Sequence, residues 1–203
     1  MNADVRLRRL EREYAGRIEL VWRAFLLRPR PRPAPESREE TARALEKFRA
    51  YTRSWEHVGA DEDAGEFRVW QTDAGPPSHS IPAHLVAKAA ARVGREAFAK
   101  MHARLLHAYF VENRDTSDRD TLHALWREEG LPEPAFDAHR DPAILRDVLR
   151  EHDEAVAFGA TGVPAVRLDG NAAVIVGAQP EALYRRWIER SLARLDAAAG
   201  PPA

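Results

Sequence analysis

Glu151-His152-Asp153-Glu154 sets an imidazole among three carboxylates, side chains that exchange protons near neutral pH. On a helix such a run reads first as a solvated face, because Asp and Glu are rarely buried without a partner. The eight histidines, His57, His79, His84, His102, His107, His123, His139 and His152, make no metal pattern. His79 and His84, like His102 and His107, stand five residues apart and fall on different helical faces, whereas a helical metal pair prefers a spacing of about four. There is no glycine-rich phosphate loop and no nucleophile elbow. The chain contains no cysteine, so it has no thiolate for disulfide exchange. No catalytic residue, metal ligand or cofactor ligand is therefore assigned from these residue types.

Composition narrows the setting. At 203 residues the chain suits one domain, or one domain with an insertion, that buries its core without staples. Lys+Arg 31 against Asp+Glu 32 gives a net charge of -1, which supplies no overall field toward nucleic acid or an anionic membrane. Nine arginines nevertheless crowd the first 32 residues, from Arg6 through Arg23 to Arg28, Arg30 and Arg32, against only Asp4, Glu11, Glu13 and Glu19. Solvated helix faces and long stems over apolar surface account for them better than a nucleic-acid partner does. No apolar run reaches transmembrane length, and charged residues occupy the place of a signal-peptide core. The expectation is a cytoplasmic protein, consistent with a chain free of disulfides.

The elements that must position the candidates follow from periodicity and punctuation. Val5, Leu7, Leu10 and Tyr14 predict a helix that stops at Gly16. Arg17 to Leu27 alternates in a way that predicts a strand covered on both sides, and the proline run from Pro29 to Pro35 then forms a stiff connector. Ser37 with Glu40 is a capping-box signature opening a helix to about His57. Ser78 or Ser80 caps the next helix, with Pro82 in its first turn, and Gly94 permits a bend before a further helix through Phe110. Asp118 or Ser117 caps another, and Asp141 with Pro142 starts one that ends at Gly159. Ala165 to Leu168 and Ala172 to Val176, joined by Asp169-Gly170-Asn171, predict a hairpin, and a last helix runs from Pro180 to about Leu195. Trp22, Trp55, Trp70, Trp126 and Trp187 suit core and groove wall better than a cofactor box.

Four stretches carry a family resemblance: Leu10-Glu11-Arg12-Glu13-Tyr14 leading to Trp22-Arg23-Ala24-Phe25-Leu26-Leu27, then His79-Ser80-Ile81-Pro82-Ala83, Thr161-Gly162-Val163-Pro164, and Gly177-Ala178-Gln179-Pro180. In this order and spacing the chain resembles the DsbA-like thioredoxin-fold oxidoreductases, in their FrnE-like and 2-hydroxychromene-2-carboxylate-isomerase-like branch. The resemblance implies an α/β thioredoxin-like fold with a large helical insertion: a core of residues 4–35 and 140–197, an insertion of 36–139 and a disordered tail of 198–203. It implies a cis peptide before Pro164, with the Val163 backbone set to pair with an extended peptide or with glutathione. His79-Ser80 would stand at the groove wall, or Ser80 would serve only as a helix cap.

The front of the chain departs from the pattern. The resemblance places a dithiol at the start of the first helix, and here both cysteines and the core strand before them are missing. Deleting a central strand would leave its neighbours about 10 Å apart. The chain would then be a shortened form of an active enzyme, or its sheet would close up, or another chain would supply the strand; a charged amino terminus at a helix start, disfavoured by the helix dipole, favours the first. The expected activity is that of a thiol-disulfide oxidoreductase relative made redox-inactive by the absence of cysteine. The alternatives are a binding module for an extended peptide or small thiol, and a glutathione-dependent isomerase-like enzyme. Glutathione is the one cofactor to entertain, and a homodimer is compatible with the sequence.

Overall fold

A computed structural model describes residues 2–58 and 65–199. The elements in order are α1 (Asn2–Glu13), α2 (Arg38–Thr52), α3 (Trp55–Val58), α4 (Ile81–Val93), α5 (Arg95–Phe110), α6 (Arg119–Glu128), a 3-10 segment (Glu133–Arg140), α7 (Pro142–Ala157), β1 (Ala165–Arg167), β2 (Val174–Val176) and α8 (Glu181–Ala199). The two strands form one antiparallel sheet in which Ala165 faces Val176, Val166 faces Ile175 and Arg167 faces Val174.

The caps explain where the helices start. The Ser37 hydroxyl accepts the Glu40 amide at 3.1 Å, and the Glu40 carboxylate accepts the Glu36 amide at 2.8 Å. Asp118 accepts from Thr121, and Asp141 accepts from Ala143 behind Pro142. The helix expected to reach His57 breaks after Thr52, where Ser54 donates back to the Tyr51 carbonyl, and resumes as the short α3. Helix α8 runs past Leu195 to Ala199; the remainder of the expected tail lies outside the described residues.

The largest core lies in the helical part. Val86, Ala89, Ala90, Met101, Leu125 and Trp126 are closed off from solvent between α4, α5, α6, the 3-10 segment and α7. A separate aromatic cluster joins Phe48, Trp55 and Trp70 to Tyr109 and Phe110. Trp22 and Trp187 are half-buried. The third core sits beside the sheet: Ala3, Leu7 and Leu10 of α1 meet Tyr184 and Ile188 of α8, with Ile18, Leu20, Val166 and Ile175 packed against them. Helix α7 covers the opposite side, its Val148 meeting Ala24 and Leu26, and its end carrying Phe158 under the Arg167 guanidinium at 3.7 Å.

Residues 17–27 correct the strand expectation. The segment is extended, but among the described residues no main chain pairs with 19–27. Its burial is one-sided as well: Ala24 and Leu26 are buried, whereas Val21 is 60% and Leu27 64% exposed. Alternating side chains show which way residues point, but a strand also needs a neighbouring main chain.

Candidate functional site

The loop containing Thr161, Gly162, Val163 and Pro164 connects α7 to β1. Helix α7 ends on Gly159 at φ +91, a left-handed conformation that glycine adopts without a Cβ clash. Ala160 is buried, and Thr161 and Val163 turn outward, Val163 being 48% exposed. The Val163–Pro164 peptide is cis. The Pro164 carbonyl accepts the Gly177 amide at 2.8 Å, so the hairpin ladder continues one pair beyond β1.

That register decides which main-chain groups are free. Bonded and non-bonded pairs alternate in an antiparallel ladder, so a bonded Pro164–Gly177 pair makes Val166–Ile175 the next bonded pair. Ala165 and Arg167 accordingly turn their amides and carbonyls away from β2, as does Val163 one step earlier. Among the described residues no main chain meets this edge.

Side chains from α1 and α8 fix the far side of the loop. Buried Arg6 donates to the Gln179 carbonyl at 2.8 Å, and the Gln179 amide donates to the Tyr184 hydroxyl at 3.2 Å. That hydroxyl donates in turn to the Gly177 carbonyl at 3.2 Å. Gly177-Ala178-Gln179-Pro180 is thus held between a buried cation and a buried phenol. Arg6 and Tyr184 were not among the candidates; the signal for Tyr184 is its helical spacing to Ile188 on an apolar face.

The extended segment is held on one edge by side chains. Glu11 accepts the Leu20 amide at 2.8 Å, Glu151 the Ala24 amide at 2.7 Å, His152 the Leu26 amide at 3.2 Å and Ser80 the Arg28 amide at 3.0 Å. All four amides belong to even-numbered residues and point to one edge. Glu151 is 3% exposed and also takes Lys88 at 2.5 Å and Arg23 at 3.2 Å. This overturns the solvated-face reading for Glu151, though Asp153 is exposed as expected. Its spacing from Ile144 and Val148 places Glu151 on the apolar stripe of α7, where a carboxylate needs buried partners.

Ser80 is a strand-like contact rather than a side-chain cap. It stands at the N-cap of α4, but its hydroxyl bonds Arg28 and its amide donates to the Arg28 carbonyl at 2.9 Å. His79 Nδ1 lies 2.8 Å from the Ser78 hydroxyl. Among the described residues, no hydrogen bond, ion pair or ring contact joins His79 or Ser80 to residues 161–164.

Two half-buried imidazoles flank these segments. His102 receives Arg8 at 3.4 Å, lies 3.7 Å from Asp4, stacks on Phe98 and meets the Trp22 ring at a tilt. Burial pushes its pKa down to about 4, with Asp4 opposing and Arg8 adding to the shift. His84 donates to the Phe25 carbonyl at 3.2 Å, and burial lowers its pKa despite that bond. Among the described residues no group of histidines and carboxylates is placed to hold a metal, and no helix is long and apolar enough to cross a membrane.

A hairpin with a cis-proline loop, flanked by α1 and α8 on one face and by α7 with a helical insertion on the other, defines the thioredoxin class of α/β fold. The chain belongs to the DSBA-like thioredoxin domain family, whose profile matches residues 1–189. Among solved structures, it is similar to a Nitrosomonas europaea protein provisionally assigned as a protein disulfide isomerase, with 17% identity, TM-score 0.66, and coverage of 95% of this chain and 90% of that one. It is also similar to the cytosolic disulfide reductase DsbM from Pseudomonas aeruginosa, with 22% identity, TM-score 0.58, and coverage of 96% and 93%. The DsbM structure with GSH gives 20% identity, TM-score 0.56, and coverage of 94% and 92%. A search of curated proteins returns no match.

Proposed function

We propose that this chain is a FrnE-like member of its family that binds an extended peptide or a small thiol at the Thr161–Pro164 loop without exchanging disulfides through its own side chains. The observation that carries this reading is the pairing of a free main-chain edge at Val163, Ala165 and Arg167 with a sequence containing no cysteine. An edge strand recruits another extended chain through main-chain hydrogen bonds and selects it through side-chain pockets. Exposed Val21, Leu27, Val163 and Phe158 offer apolar surface for such contacts. The similarity to DsbM, solved with GSH, supports a small thiol as one ligand. The same reading extends to His79 and Ser80 as an outer wall of the groove, on the resemblance of His79-Ser80-Ile81-Pro82-Ala83 to the family pattern.

Without a thiolate, no mixed disulfide forms on this chain and no electron pair passes through it. The test combines two assays on the same protein. Insulin-disulfide reduction should stay at the uncatalysed rate, while calorimetry should detect glutathione or peptide binding. Catalysed reduction, or an absence of binding to either ligand, overturns the reading.

A further inference from the structure

Arg167 is the charged residue of β1, and it stands on the open face of that strand. Thr161, Val163, Ala165 and Arg167 are exposed, whereas Gly162, Pro164, Val166 and Leu168 are half-buried, so alternate residues from the loop onward share one outward face. Val166 turns the other way, against the core of α1 and α8.

The Arg167 guanidinium is placed but not consumed. It lies 3.7 Å from the centroid of the Phe158 ring at the end of α7, and a guanidinium stacked on a ring keeps its in-plane N–H donors free. Its ion-pair partner is Asp169 at 3.8 Å, a fully exposed carboxylate beyond hydrogen-bond range. Among the described residues the guanidinium makes no hydrogen bond. The same residue turns its amide and carbonyl to the free edge. A peptide strand added there, in either direction, sets one of its side chains beside Arg167 on the same face, about 5 Å away between Cβ atoms.

We propose that Arg167 makes this edge selective for an extended peptide carrying a carboxylate side chain, Glu or Asp, at the position beside it. A carboxylate matches the free guanidinium fork through charge-assisted hydrogen bonds. The next peptide residue on that face lies against uncharged Ala165 or Val163 and gains nothing from a charge. This selectivity rests on the strand-accepting edge at Val163, and its test separates the two.

Two short capped peptides, one alternating Thr with Glu and one alternating Thr with Gln, are titrated at low ionic strength while amide NMR follows positions 165 and 167. The Glu peptide should bind the wild type about threefold to fivefold more tightly than the Gln peptide, the worth of one exposed opposite-charge pair across strands. In Arg167→Gln the two should bind equally, with the affinity for the Gln peptide unchanged. Arg150→Gln removes an equal charge from the surface of α7 and should keep the preference. Saturable shifts with both peptides at equal affinity for the wild type overturn the selectivity and leave the edge in place. A preference that survives in Arg167→Gln, or that disappears equally in Arg150→Gln, overturns it as well. An absence of shifts with both peptides overturns the edge, and the selectivity falls with it.

Discussion

The Glu151 carboxylate holds the Ala24 amide at 2.7 Å in a place closed to solvent, although 127 residues separate the two in sequence. A side chain of α7 thereby does for the extended segment what a neighbouring strand does elsewhere. Lys88 and Arg23 neutralise that carboxylate, so three elements depend on one side chain.

Replacing Glu151 with Leu should therefore destabilise the fold by about 3 kcal/mol. The change leaves a partly buried ammonium without its partner and an amide without an acceptor. Urea unfolding measures the loss, and a change under about 0.5 kcal/mol would show that Glu151 does not secure the segment.

Tyr184→Phe removes one hydroxyl that serves Gln179 and Gly177 together. The expected cost is about 1–2 kcal/mol, because a part-buried carbonyl and a part-buried amide lose their partner at once. Amide exchange at Gln179 should quicken, while α8 keeps its protection. Unchanged exchange there would place the restraint on Arg6 alone.

Stability should fall with acid before most carboxylates titrate. The folded value for His102, about 4, lies below its ordinary 6.5, so the unfolded chain binds the extra proton between these limits. Its contribution is complete above pH 6.5 and is lost as pH falls toward 4, up to about 3 kcal/mol in all. His84 acts in the same direction. Asp141, whose pKa is held down by the Ala143 amide and Arg92, adds its share only below its ordinary 3.8. Urea unfolding at pH 7 and pH 5 should show the difference, and His102→Gln should reduce it.

Much of this fold is legible in the sequence because its signals are local. Ser37, Asp118 and Asp141 cap helices through contacts within three residues, and Asp169-Gly170 turns the hairpin. The strand expected at 17–27 fails because alternation fixes side-chain direction, whereas pairing depends on a distant main chain. The 3-10 segment Glu133–Arg140 escapes notice because Phe136 is its one buried residue and gives no period. Thr161-Gly162-Val163-Pro164 is picked out by its resemblance to a family motif, but the bond from Arg6 to Gln179 joins positions 173 apart and leaves no local trace.

Ala165→Pro is designed to strike the free edge without touching the hairpin. Ala165 faces Val176 as a non-bonded pair, so proline deletes only an outward-pointing donor. Peptide affinity should drop about fivefold to tenfold, the worth of one main-chain hydrogen bond, with the thermal midpoint nearly unchanged. Equal affinity in the two proteins would separate the peptide from this edge.

The most direct measurement is amide NMR of the whole chain during titration with an extended, apolar-alternating peptide. The Ala165 and Arg167 amides should shift saturably and exchange more slowly once bound, while the Val166 amide, already paired with β2, changes little. Binding that leaves the Ala165 and Arg167 amides unmoved would contradict a strand-accepting edge beside Val163 and the function built on it.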